Sequence, residues 1–118
     1  MGGSRVLVVE DEGLIAMALG DDLAHLGHQV IGPFAHLAPA VLAARSESID
    51  FALLDINLNG QPVYPVADEL LARRIPFAFL TGVDIENLPL PYQRQLSLSK
   101  PYSSINIEQV IDTLLSKA

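Results

Sequence analysis

Phe51-Ala-Leu-Leu54 is an apolar run that ends on Asp55. A strand with water on one face alternates polar and apolar residues. A short run without alternation reads instead as a strand buried on both faces, as in a parallel sheet covered by helices. Asn59-Gly60 supplies turn residues soon after. Asp55 therefore stands at the C-terminal mouth of a central strand, where open α/β sheets place their ligands. Taken alone, it is as readily a residue that merely opens a loop. Its company elsewhere in the chain decides between the two.

The rest of the chain alternates strand and helix patterns. Arg5-Val-Leu-Val-Val9 reads as the first strand and stops at Glu10-Asp11-Glu12. Leu14-Ile15, Ala18-Leu19, Leu23 and Leu26 are spaced three and four apart, which predicts an amphipathic helix closed by Gly27. A short second strand, Gln29 to Gly32, ends at Pro33, and Leu37 to Ala44 reads as the second helix. After the strand at Phe51 comes a loop with Gly60, Pro62 and Pro65. Val66, Leu70 and Leu71 then give a third helix, whose end carries Arg73-Arg74. Pro76 to Leu80 is a fourth buried strand ending at Thr81-Gly82, and Leu96-Ser-Leu98 a weak fifth ending near Lys100-Pro101. Ile107, Val110-Ile111 and Leu114-Leu115 mark the final helix. This order predicts an α/β fold, a doubly wound parallel sheet of five strands.

One interval departs from the alternation. A fourth helix belongs between Thr81 and Lys100, but Pro89 and Pro91 each remove a backbone donor and disfavour helix in the preceding residue. The segment from Val83 to Gln95 is expected to be a mobile loop or a single helical turn, so the fourth helix is short or absent.

Composition narrows the function. A length of 118 residues with 50% hydrophobic and 18% charged content suits one compact domain, here residues 5–118. No apolar run approaches the roughly 20 residues of a membrane span. The N-terminus lacks an export pattern, so a cytoplasmic location with no membrane insertion is expected. The absence of cysteine excludes disulfides and thiolate metal sites. A net charge of −7 with scattered basic residues argues against a nucleic-acid partner.

The polar residues at the strand ends form a constellation: Glu10-Asp11 after the first strand, Asp55 after the third, Thr81 after the fourth and Lys100 after the fifth. In a parallel sheet these ends meet at one edge. Three carboxylates gathered there repel one another and need a counter-ion. An all-oxygen set suits Mg²⁺, which keeps several waters and accepts phosphate oxygens as further ligands. Lys100 and Thr81 suit the oxygens of a phosphoryl group, and Asp55 is the natural nucleophile for an aspartyl phosphate.

Glu10-Asp11, Asp55, Thr81 and Lys100-Pro101, in this order, resemble the receiver domain of two-component response regulators, over nearly the whole chain after Ser4. The resemblance implies a flavodoxin-like receiver fold. It implies that Glu10 and Asp11 bind Mg²⁺, that the backbone carbonyl of Asn57 completes the metal site, and that Asp55 accepts phosphate from a phosphohistidine. That group would belong to a sensor histidine kinase or phosphotransfer protein. Thr81 would be the switch hydroxyl, Lys100 would pair with the phosphoryl group, and Lys100-Pro101 would be cis. Phe79-Leu-Thr-Gly-Val-Asp84 also resembles the "FATGUY" subgroup of single-domain receivers linked to general stress signalling, with Leu80 and Val83 as departures. Receivers commonly carry an aromatic switch residue three positions before the lysine; here it is Ser97. Tyr92 and Tyr102 are the candidates to replace it, with packing the alternative for both. No output domain follows the last helix, so signalling would pass through a downstream protein partner or a domain outside this chain. Such a protein assists its own phosphorylation and dephosphorylation and is not a metabolic enzyme.

Three other readings compete. A haloacid-dehalogenase-type phosphohydrolase needs a second Asp two residues after its nucleophile, and Asn57 cannot exchange a proton for catalysis. A flavodoxin-like cofactor binder needs phosphate donors in the first loop, where Glu10-Asp11-Glu12 would repel. A binding-only pseudo-receiver would have no use for a complete set of phosphorylation residues, although Ser97 is compatible with it. The three histidines, His25, His28 and His36, have no metal-ligand spacing and are assigned no role.

Overall fold

The computed structural model describes residues 3–81, 88–100 and 102–116. Five parallel strands, β1 (Arg5–Val9), β2 (Gln29–Phe34), β3 (Phe51–Asp55), β6 (Phe77–Thr81) and β7 (Leu96–Ser99), form one sheet in the order β2-β1-β3-β6-β7. The helices are α1 (Gly13–His25), α2 (Leu37–Ser46), α3 (Tyr64–Ala72) and α4 (Ser104–Ser116). Between β3 and α3 lies a two-stranded antiparallel hairpin, β4 (Asn57–Leu58) and β5 (Gln61–Pro62).

Strand alternation divides the core between the two faces of the sheet. Leu7, Val9, Ala52, Leu54, Phe77 and Phe79 face α2 and α3, where Ala40, Ala43, Ala44, Val66, Ala67 and Leu70 meet them. Val6, Val8, Phe51, Leu53, Ala78 and Leu80 face the other way, against Leu19 and Leu23 of α1 and Ile107, Ile111 and Leu114 of α4. All five residues of β3 and of β6 are buried, as their unbroken apolar runs predict. Asp55 is thus carried to the mouth of the sheet on a strand with no freedom to shift register.

Helix ends follow the expected chemistry. Past the end of α1, the His28 and Gly27 amides donate to the Leu23 and Ala24 carbonyls, the two bonds of a Schellman cap. Ahead of α4, Ser103 Oγ accepts from the Asn106 amide while Asn106 Oδ1 accepts from the Ser103 amide, a reciprocal capping box. Pro65, expected in the loop, instead lies in the first turn of α3, where its missing N–H costs nothing.

One other detail differs from expectation. The second strand does not stop at Pro33 but runs on to Phe34, with a register shift between the pairs Leu7–Ile31 and Val9–Phe34. As the sheet's edge strand, β2 tolerates proline. Gly32 permits the bulge: its φ is +105°, and a Cβ there would lie 2.8 Å from the Val8 carbonyl oxygen. The Phe34 carbonyl then accepts from the Glu10 amide at 2.9 Å, fixing the backbone where the acidic residues begin.

The remaining interval lies beyond β6. Residues 82–87 are outside the described residues, and with them Gly82, Val83, Asp84 and Ile85. From Leu88 to Gln95 the chain is pinned. Leu88 is buried and Leu90–Tyr92 form a single 3₁₀ turn. Tyr92 is buried against α3, stacked on Tyr64 with ring centroids 4.5 Å apart, and its hydroxyl donates to Asp68 Oδ1 at 2.5 Å. Its ring also meets Phe79 edge-on. Among the described residues of this segment there is a single turn, as the short-helix expectation allows, and it is packed on α3 through Tyr92.

Candidate functional site

Four strand ends and the hairpin build the site. Glu10 and Asp11 follow β1, Asp55 ends β3, and one carboxylate oxygen of each lies within 4.8 Å of the others. Thr81, buried at the end of β6, lines a cleft of about 320 Å³ with Asp55, Ile56, Asn57, Gly60, Pro62 and Tyr64. The Thr81 carbonyl accepts from the Lys100 amide at 2.8 Å, which ties the ends of β6 and β7 together. A neighbouring cleft of about 260 Å³ is lined by Asp11, Glu12, Asp55, Asn57, Gly60 and Lys100, so the two openings share Asp55, Asn57 and Gly60.

Lys100 reaches into the acidic group. Its Nζ lies 2.7 Å from Glu10 Oε1, 3.3 Å from Asp55 Oδ2 and 3.5 Å from Glu12 Oε1. Glu10 is only 1% exposed, and a carboxylate so placed needs a partner to remain charged. Burial opposes the charge on Lys100 too, but Glu10 and Asp55 outweigh it and hold the ammonium well above its usual range. Asp55 moves the other way for a carboxyl: burial, then its hydrogen bond and repulsion with Glu10, push it up to about 7, although Lys100 opposes them. Burial would raise Asp11 as well, yet the Asn59 amide and a hydrogen bond with Asp55 leave it below its usual value. The two carboxyls are thus pushed in opposite directions, Asp55 up and Asp11 down.

The hairpin presents Asn57. Asn59 and Gly60 have φ of +51° and +87°, the type I′ turn that suits two-residue hairpins. Hydrogen-bonded and non-hydrogen-bonded pairs alternate along an antiparallel ladder. The Val63 amide donates to the Ile56 carbonyl at 2.8 Å, and Leu58 and Gln61 close the turn. The intervening pair, Asn57 and Pro62, is therefore the non-bonded one, and its Asn57 carbonyl is turned out of the hairpin. Pro62 sits where a missing N–H leaves no gap in the ladder.

The structure brings together Glu10, Asp11, Asp55, Thr81 and Lys100, the set expected at the strand ends, with Asn57, which the resemblance added, beside them on the hairpin. Pro101, and with it the expected cis Lys100-Pro101 bond, lies outside the described residues. The cis bond among the described residues is Gly32–Pro33. Ser97 is half-buried on β7 beside Phe79. Tyr92 packs on α3, and Tyr102 packs against the α1–α4 core, its hydroxyl pushed up to about 12 by burial and Glu10. Sequence reasoning missed Glu12, the Asn59 amide and Tyr64. The Asn-Gly pair flanked by short apolar stretches was the signal for the hairpin that places the last two. His28, assigned no role, accepts from the Ser4 amide and packs edge-on against Phe51.

Comparison with known proteins gives these residues a context. No protein-family model matches the chain. The solution structure of SdrG from Sphingomonas melonis Fr1 is 36% identical, covering 96% of this chain and 97% of that one with a TM-score of 0.84. The receiver (REC) domain of the PhyR response regulator from Erythrobacter litoralis is 29% identical over 98% of this chain and 92% of its own, with a TM-score of 0.84. The chain belongs to the response-regulator receiver family. At the level of fold it also matches the receiver domain of sensor histidine kinase PA1611 from Pseudomonas aeruginosa, 23% identical over 98% of this chain and 99% of its own, TM-score 0.79. That receiver holds a magnesium ion coordinated in its active-site cleft. The chain spans about half the length of the curated relatives it matches, for instance 43% of PhyR from Methylorubrum extorquens, with which it is 32% identical over 119 residues. No helix of the described residues is long and apolar enough to cross a membrane.

Proposed function

We propose that residues 5–118 act as a phosphorylatable receiver that takes a phosphoryl group onto Asp55 from the phosphohistidine of a sensor histidine kinase or phosphotransfer protein. The observation that carries this reading is the convergence of three carboxylates within 4.8 Å with Lys100 Nζ 3.3 Å from Asp55. In the transfer, an Asp55 oxygen attacks phosphorus in line. A P–O bond forms as the P–N bond to the donor's imidazole breaks, and the imidazole keeps the electron pair and takes up a proton. Lys100 leaves its carboxylate partners for a phosphoryl oxygen, and the Thr81 hydroxyl donates to another.

The donor set fits a hard divalent cation. It is all oxygen, its three carboxylates converge within 4.8 Å, burial and then Glu10 push Asp55 up to about 7, and it includes an outward-facing backbone carbonyl. Glu10, Asp11, Asp55 and the Asn57 carbonyl would hold Mg²⁺, directly or through water. The bound cation supplies positive charge to the phosphoryl oxygens and favours the ionised, nucleophilic form of Asp55.

The chain thus assists its own phosphorylation and dephosphorylation and turns over no metabolite. Signalling follows from a population shift passed to a downstream protein partner in the cytoplasm. The resemblance of Phe79 to Asp84 to the "FATGUY" motif supports a place in general stress signalling, and kinship with the anti-anti-sigma factor PhyR from Bartonella quintana supports a protein partner. The net charge of −7 favours a protein over a nucleic-acid partner. The test is phosphotransfer from the host's labelled histidine kinases and phosphotransfer proteins. One donor is expected to label the wild type rapidly and to leave Asp55→Asn unlabelled. Label retained by Asp55→Asn would place the acceptor elsewhere.

A further inference from the structure

We infer that the Asn59–Gly60 turn is a positioning element for the metal site, acting through the backbone amide of Asn59 on Asp11. This inference rests on the magnesium reading above and deepens it. The Asn59 amide donates to Asp11 Oδ2 at 2.9 Å, across 48 residues of sequence. One oxygen of Asp11 is thereby engaged, and the carboxylate is oriented with its other oxygen available to a cation. Asn57 Oδ1 accepts from the Gly60 amide at 2.8 Å, so the Asn57 side chain is committed to the turn. What Asn57 offers the cleft is its carbonyl, as the ladder alternation requires.

A single turn thus sets two ligands at once, one directly and one by register. Ligating carboxylates are commonly held in this way by hydrogen bonds from groups that never touch the metal, and loss of such a partner typically weakens metal binding about 10–100-fold. The turn depends on both of its central residues having positive φ. A Cβ on Gly60 would meet open space, so a substitution there acts through backbone conformation alone.

The experiment measures Mg²⁺ affinity by titration of the full chain, alongside its melting temperature in chelator. Gly60→Val disfavours the turn, and Asn59→Pro both breaks it and removes the amide. Asn59→Gly keeps the amide and the conformation. The expected result is a loss of about tenfold or more for Gly60→Val and Asn59→Pro, with Asn59→Gly close to wild type. In the metal-free protein, Asp11→Ala, which leaves no side-chain acceptor, is expected to speed hydrogen exchange at the Asn59 amide severalfold, a readout that needs neither turn variant to fold. Wild-type affinity in Gly60→Val, or unchanged exchange at Asn59 in Asp11→Ala, overturns the inference while leaving the metal site standing. Equal losses in Asn59→Gly and Asn59→Pro overturn it in favour of the Asn59 side chain. A wild-type protein that binds no Mg²⁺ overturns the underlying reading, and the inference with it.

Discussion

Asp55 sits in surroundings that oppose its charge. Burial and Glu10 raise its carboxyl to about 7 from an ordinary value of 3.8. The folded protein therefore keeps a proton that the unfolded chain releases. Between pH 4 and pH 7 the native state binds more protons than the unfolded state, so this group makes metal-free stability fall as pH rises. The predicted outcome is a downward slope of the chelator-treated melting temperature across that window. Asp55→Asn should flatten the slope and stabilise the metal-free form near neutral pH, by on the order of 1 kcal/mol once solvent screening is allowed for. Melting curves of the two proteins at stepped pH check this, and parallel curves would contradict it. At this scale the sequence was legible. Glu10, Asp55 and Thr81 each follow an unbroken apolar run, so their places at the strand ends could be counted off, whereas Lys100 follows the alternating Leu96-Ser-Leu-Ser99. The direction of each shift was not legible, because it depends on how deeply each carboxyl is buried and on which distant groups bond to it in the folded chain, Glu10 and Lys100 for Asp55 and the Asn59 amide for Asp11.

Among the elements, those with strong periodicity were read correctly and those governed by a single residue were not. The hairpin β4–β5 hides in a stretch too short to show a period, and only Asn59-Gly60 betrays it. The bulge at Gly32–Pro33 looks like a strand end because proline cannot donate, yet at the edge of the sheet it need not. The stretch from Leu88 to Gln95 looks like a loop because of its prolines. What secures it is an aromatic contact that no local pattern encodes, Tyr92 on Tyr64 and Phe79. Tyr92→Ala is therefore predicted to cost about 3–5 kcal/mol in chemical denaturation, as for other buried aromatic truncations. Tyr92→Phe, which removes only the bond to Asp68, should cost about 1 kcal/mol. If both variants unfold like the wild type, the turn is not held by Tyr92. Leu90, on the same turn, is 81% exposed and contributes nothing to this anchoring.

For the molecule as a whole, two core layers lock five parallel strands so that residues distant in sequence arrive at one edge. The fold was legible because parallel topology demands doubly buried strands, and few other architectures accept Phe51-Ala-Leu-Leu or Phe77-Ala-Phe-Leu. The proposed function gives that placement a joint requirement: Asp55 as acceptor, the other acids as cation holders and Lys100 as the counter-charge. Intact-mass spectrometry after incubation with a small phosphodonor such as phosphoramidate tests all of this without a partner protein. The account predicts addition of one phosphoryl group to the wild type with Mg²⁺ present, little or none in chelator, and none in Asp55→Asn with or without the metal. Equal phosphorylation in chelator, or a phosphoryl group gained by Asp55→Asn, would contradict it.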